Sequence, residues 1–202
     1  MKNLPVRGEP LARKTSFAIA AILLAWFLAA LAAGASGKLR SLHPPQPQLV
    51  VLALTAVTLL SANISRAARA WCASIDIRWF VALHVTRFVG FSFLWLAHRH
   101  ELAPGFAVPA GIGDIFVATL AVILLSQVSP DGPKSRRAYL AWNIFGFIDI
   151  AFVVLSAARL GLRDPASMQA LLELPLCLLP MFLVPLIIAT HVMLFKILYK
   201  IQ

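Results

Sequence analysis

Charge is what this sequence has least of. Only 13% of its 202 residues are charged and only 8 are acidic, whereas a soluble domain carries about 25% charged residues. A chain this poor in charge cannot cover a globular surface with water-seeking groups, which excludes the soluble enzyme folds. Cysteine is nearly absent as well. Cys72 and Cys177 lie far apart, and no C-x-x-C or Cys/His spacing accompanies them, so neither a disulfide framework nor a metal-ligand pattern is present; both read as reduced and structural. Catalytic signatures are missing too. There is no G-x-S-x-G, no H-E-x-x-H and no phosphate-cradling glycine loop. Hydrolase and kinase readings have no anchor, and an enzyme is the less favoured class.

What the sequence does have is apolar length. Hydrophobic residues make up 60% of it and the mean hydropathy is +0.85. A hydrocarbon core about 30 Å thick needs roughly 20 apolar residues per helix. Six segments meet this, at about 15–35, 48–64, 80–97, 106–128, 139–160 and 174–198, and the fold expected is all-α: one integral membrane six-helix bundle over 1–202. The connections are short. His43-Pro44-Pro45, Asp131-Gly132-Pro133 and Arg163-Asp164-Pro165 mark three of them as turns, and none leaves room for a separate soluble domain.

The net charge of +10 would point to nucleic acid in a soluble chain. Here the positive-inside bias explains it first, and no nucleic-acid partner is expected. With the N-terminus inside, the cytoplasmic side holds Lys2, Arg7, Arg13, Lys14, Arg66, Arg69, Arg78, Lys134, Arg136, Arg137, Lys196 and Lys200. The opposite side holds only Lys38, Arg40, Arg99, Arg159 and Arg163. Both termini are therefore expected in the cytoplasm. The first span also has a competing reading: Arg13-Lys14, an apolar stretch and then Ala33-Gly34-Ala35 are the layout of a cleaved secretory signal. The stretch is longer than the usual 7–15 residues of a signal's apolar region.

Ionisable groups at membrane depth are costly, roughly 2.5–3.5 kcal/mol each on insertion scales, and face a partner or a cavity. Arg87, Asp114 and Asp149 fall near the midpoints of the third, fourth and fifth spans. Together they predict a buried cluster in which one planar guanidinium serves two carboxylates. Its formal charge is −1, so the site calls for a proton, a cation or another donor. A second layer nearer the cytoplasm contains His84, Trp142, Asn143 and His191. His84 and Arg87 are i,i+3 neighbours and share a helix face. Gly146, between Asn143 and Asp149, would admit a close neighbour. Pro104-Gly105 and Val108 to Asp114, rich in proline and glycine, are expected to unwind the start of the fourth span. Pro175, Pro180 and Pro185 should kink the sixth, and broken helices beside buried charge mark binding sites in transporter-like proteins.

Blander readings stand beside these. The Arg/Asp cluster can be structural glue with no ligand, and each histidine a satisfied core residue. His98-Arg99-His100-Glu101 reads as a solvated helix end rather than a metal site, and Trp71, Trp79 and Trp95 as interfacial anchors. The shared H-V-x-x-F at His84 and His191 falls at different points along the two spans, and does not indicate an inverted repeat.

Several strings in sequence order carry a resemblance: Arg87-Phe88-Val89-Gly90 with Phe93, then Phe106 to Asp114, Trp142 to Asp149, and Pro180 to Pro185 followed by His191. Over roughly residues 80–195 the chain resembles a family of small bacterial polytopic membrane proteins without an assigned activity. The resemblance implies a bacterial source and an inner-membrane address. It implies no reaction.

Three functions follow as expectations. The first is a carrier or permease-like protein for a proton, cation or small polar solute, with Arg87, Asp114 and Asp149 as its site and Asn143, His84 and His191 continuing it toward the cytoplasm. That protein needs no cofactor. The second is a redox protein holding a b-type haem between His84 and His191, with Arg87 or Arg137 meeting a propionate. The third is an interaction or assembly subunit whose polar cluster only fixes the bundle. Beyond the lipid bilayer, a homo-oligomer or a membrane-complex partner is left open.

Overall fold

The computed structural model describes residues 9–130 and 132–199, with side chains from residue 15 onward. Lys2, Arg7, Asp131 and Lys200, used above for charge and turns, lie outside the described residues, as do the side chains of Arg13 and Lys14. The regular structure described is all helical: α1 (Glu9–Ala35), α2 (Gln46–Ile64), α3 (Arg66–Ser74), α4 (Ile77–Leu83), α5 (Gly90–His98), α6 (Pro104–Gln127), α7 (Pro133–Arg163) and α8 (Val184–Tyr199). Six helical stretches among the described residues are long and apolar enough to cross a membrane: Thr15–Ala35, Gln46–Ile64, Ile77–His98, Pro104–Gln127, Pro133–Arg163 and Leu179–Tyr199.

Two boundaries move from the sequence expectation, each for a local reason. α7 starts at Pro133 instead of 139, because Gly132 takes φ 107 and Pro133 sits at the first helical turn, where its missing N–H costs nothing. Its charged opening turns read as loop in sequence. The last long helix begins at Leu179 instead of 174, since 3-10 turns over Ala166–Leu172 and further turns carry the chain past Pro175.

The expected unwinding of the fourth span is not found. Pro104–Gln127 is one continuous α-helix with Pro109 inside it. The glycines here serve close approach: a Cβ on Gly111 would lie 2.7 Å from the Gly90 carbonyl oxygen, and one on Gly90 would meet the Gly111 carbonyl. α5 and α6 thus cross backbone to backbone. The irregularity lies elsewhere. Residues His84–Val89 form a 3-10 stretch between α4 and α5, and Leu179–Leu183, around Pro180, form a π turn leading into α8.

The core is layered along the helices. One apolar cluster contains Phe80, Val81, Val117, Ala121, Trp142 and Leu194. Another, at the opposite end, contains Phe93, Phe106, Ala110, Ile150, Val153 and Ile187. Following any one of the four inner helical stretches from the first cluster to the second passes through a polar residue: His84 and Arg87, Asp114, Asn143, or His191. α1 and α2 flank this assembly. No residue of α2 is buried, and Ala30 is the one described α1 side chain that is. α1 is fastened to the π turn, where Trp26 Nε1 donates to the Met181 carbonyl at 2.9 Å and the Trp26 and Phe27 rings meet Phe182 edge-on. Gly34, the middle of the Ala-Gly-Ala triplet, packs against Cys177 and Leu174.

Basic residues close the end of the molecule that holds the first cluster. Arg69 donates to the carbonyls of Asn63 and Ile64 at the end of α2, Arg78 to that of Leu125 in the last turn of α6, and Arg136 to that of Leu198 in α8 at 3.1 Å. Each places a cation on the negative end of a helix dipole and satisfies a carbonyl the helix itself leaves bare. Lys196 reaches the Asn63 side chain, joining α8 to α2. The basic bias at this end therefore has a packing use as well. Cys72 lies buried in the same region with its thiol against Met193 Sδ, and burial pushes its pKa up from the ordinary thiol value.

Candidate functional site

The site begins with the 3-10 stretch. In that geometry residues i and i+3 eclipse one another, so His84 and Arg87 stack on the same face and both turn fully inward, at 0% and 1% exposure. Arg87 then spends its fork on two neighbouring helices. Nε donates to Asp114 Oδ1 of α6 at 2.6 Å, Nη2 pairs with Asp149 Oδ2 of α7, and Nη1 donates to the Gly146 carbonyl of α7 at 3.1 Å. Asp114 is buried and Asp149 partly so.

Glycines make the space. A Cβ on Gly113 would collide with the Asp149 carboxylate, and one on Gly146 would lie 2.8 Å from His191 Cε1. The expectation for Gly146 was a close helix; what approaches is the imidazole of α8. Gly113 is a participant the sequence reading missed, visible there only as the second glycine of P-A-G-I-G-D.

The second layer assembles around the two histidines. His84 Nε2 lies 3.1 Å from Thr190 Oγ1, whose hydroxyl donates to the Ile187 carbonyl at 2.8 Å. The hydroxyl proton is thus committed, and the hydrogen bonds assign the His84 proton to Nε2. Asn143 Nδ2 donates to the His191 carbonyl at 3.1 Å, so Asn143 Oδ1, 2.8 Å from His191 Nδ1, accepts from that nitrogen. In these tautomers His84 Nδ1 and His191 Nε2 carry no proton, and neither meets a donor within hydrogen-bond distance among the described residues. The rings touch, with centroids 4.2 Å apart, and Trp142 packs edge-on against His84 while its Nε1 donates to the Val117 carbonyl. Thr190 was not foreseen: one threonine in an apolar span carries almost no signal.

All six expected site residues, Arg87, Asp114, Asp149, Asn143, His84 and His191, therefore converge in one interior region. The contact between the imidazoles leaves no plane for a macrocycle between them, so the arrangement gives the bis-histidine haem no support. Among the described residues no group of three or more His, Cys, Asp or Glu converges as a metal site. Arg99 pairs with Glu101 at 2.6 Å on the exposed end of the third span and lies over Trp95.

Beside the cluster opens a cavity of about 440 Å3. Arg87 and Asp114 line one part of it; Phe93, Val153 and Val154 form walls; Gln48 of α2 lines it as well. Gln48 Oε1 is the third buried side-chain acceptor without a partner among the described residues. Gln48 stood at the edge of its span in sequence, where a polar residue is unremarkable.

No curated protein and no solved structure matches the chain. A family model does, over residues 44–199, from the turn before α2 to the end of α8 and including every residue of the site. Its description is a domain of unknown function, DUF8737, and the chain belongs to that family.

Proposed function

We propose that this is a polytopic protein of the bacterial inner membrane, with both termini cytoplasmic, and that it carries a proton, cation or small polar solute through a site built from Arg87, Asp114 and Asp149. Membrane insertion is supported by the six apolar stretches and by the large side chains they leave exposed, Phe17, Ile22, Leu52, Ile148 and Leu155 among them. Orientation rests on the Lys/Arg count.

The observation that carries the transport reading is a charge imbalance. One guanidinium is divided between two carboxylates from two different helices, and the neighbouring polar groups, His84 and His191, present acceptors. Two anions and one cation at that depth favour uptake of one further positive charge, a proton or a cation, and its release when the helices shift. A 3-10 stretch under Arg87 and a π turn ahead of α8 put irregular backbone beside the site, the element of transporter architecture that rearranges.

A second reading keeps its place, because three bonds from Arg87 to α6 and α7 also describe a clasp with no cargo. Flux separates the two. In proteoliposomes with an imposed proton gradient, Asp114→Asn and Asp149→Asn should each remain folded and lose flux. Retained flux in both variants would overturn the carrier reading.

A further inference from the structure

We infer that the 440 Å3 cavity beside Arg87 and Asp114 is a binding site for an amphipathic organic cation, with its positive head at Asp114 and its apolar body along α7. The inference rests on the carrier reading and names the cargo class of that site.

Three observations converge on it. The first is shape. Ile150 and Gly161 of α7 both line the cavity, which at 1.5 Å rise per residue makes it roughly 16 Å long. Its volume lies within the range of about 300–1,000 Å3 usual for small-molecule sites. An inorganic ion needs no such volume; an elongated apolar body does.

The second is charge. The buried charged groups of the lining are Arg87 and Asp114, and Asp149 bonds the same guanidinium. The sum of the three is negative, so an anionic headgroup such as a carboxylate or phosphate is disfavoured despite the arginine, whose fork is already taken. A cation completes the balance.

The third is hydrogen bonding. Of the buried side-chain atoms without partners among the described residues, Gln48 Oε1, an acceptor, belongs to a residue that lines the cavity. Gln48 lines the cavity, on α2 opposite Gly161, where its amide nitrogen lies 2.8 Å from the position a Cβ would take. A donor-bearing ligand, an amine or aryl amine, is what this lining lacks. A quinone or fatty acid would bring further acceptors.

The test uses the full chain purified in detergent and ethidium, an aromatic cation carrying amines, followed by its fluorescence. Saturable binding to one site is expected, displaced by tetraphenylphosphonium and not by palmitate. Removing one charge with Asp114→Asn, which keeps an oxygen for Arg87 Nε, should weaken binding about tenfold, the equivalent of 1.4 kcal/mol. Val154→Phe, which fills the wall without touching the charges, should weaken it comparably while leaving the melting temperature of the wild type. Absence of saturable binding, equal affinity in Asp114→Asn, or displacement by palmitate would each overturn the inference. Proton flux on the same preparation keeps the two claims apart. Flux without ethidium binding removes the organic cation and leaves the carrier. Binding without flux removes the carrier and leaves the cation site.

Discussion

Arg87 holds two carboxylates because two glycines stand where side chains would obstruct it. The Asp149 carboxylate occupies the space a Gly113 side chain would fill, and His191 occupies that of Gly146. Gly113→Ala should therefore destabilise the protein by about 1–3 kcal/mol, the usual cost of overpacking a filled interior, with the Arg87–Asp149 pair displaced. Gly105→Ala is the control: nothing lies within 4 Å of its Cβ position, and alanine's higher helix propensity, up to about 1 kcal/mol, should make it neutral or stabilising. Thermal unfolding in detergent measures both, and equal effects would contradict the packing account. At this scale the charged residues were legible in sequence, because an Arg and two Asp in apolar spans stand out against their surroundings and share a depth fixed by helical rise. The residues that make room for them were not. A glycine's role depends on which helix face meets which, and one sequence does not state that.

Elements explain why the polar layer sits where it does. The 3-10 stretch His84–Val89 turns two polar side chains, one of them charged, inward from a helix that would otherwise run straight from Ile77 to His98. Nothing in H-V-T-R-F-V announces this; the segment contains no proline or glycine, and the shortened geometry answers the demand of Arg87 for two helices at once. The reverse error concerns α6. Pro109 and its neighbouring glycines look like a break, yet the helix continues, since the glycines are needed for the crossing with α5. Turns were better foretold: His43-Pro44-Pro45 and Gly132 both fall between helices, although the helix after Gly132 begins at Pro133, six residues ahead of the expected start. The ends also carry a prediction. Arg136 caps α8 through the Leu198 carbonyl, so Arg136→Ala should lower stability by about 0.3–1 kcal/mol, the usual range for a cation at a helix C-terminus. The bond is partly buried, so added salt should change the difference little, and hydrogen exchange should show the loss concentrated in the last turn of α8. Uniform exchange across the helix would contradict a capping role.

Across the whole molecule, two apolar clusters sandwich one polar layer, and a cavity opens on one side of that layer. The six long stretches and their approximate limits were readable from hydropathy alone, since length and apolar run are local properties. The division of labour among them was not: α1 and α2 are as apolar as the others but contribute little to the buried core, and that asymmetry arises only from packing. The central claim is that the polar layer carries charge rather than merely clasping helices. A buried ion cluster replaced by apolar residues of similar size is often neutral or stabilising by about 1–4 kcal/mol, so an apolar repacking can remove the charge without removing the fold. The most direct measurement is charge movement in proteoliposomes under an imposed proton gradient, wild type against Arg87→Met/Asp114→Leu/Asp149→Leu, with melting temperatures recorded on the same preparations. The account predicts a repacked protein at least as stable as the wild type that moves no more charge than protein-free liposomes. A repacked protein moving charge at the wild-type rate would contradict it.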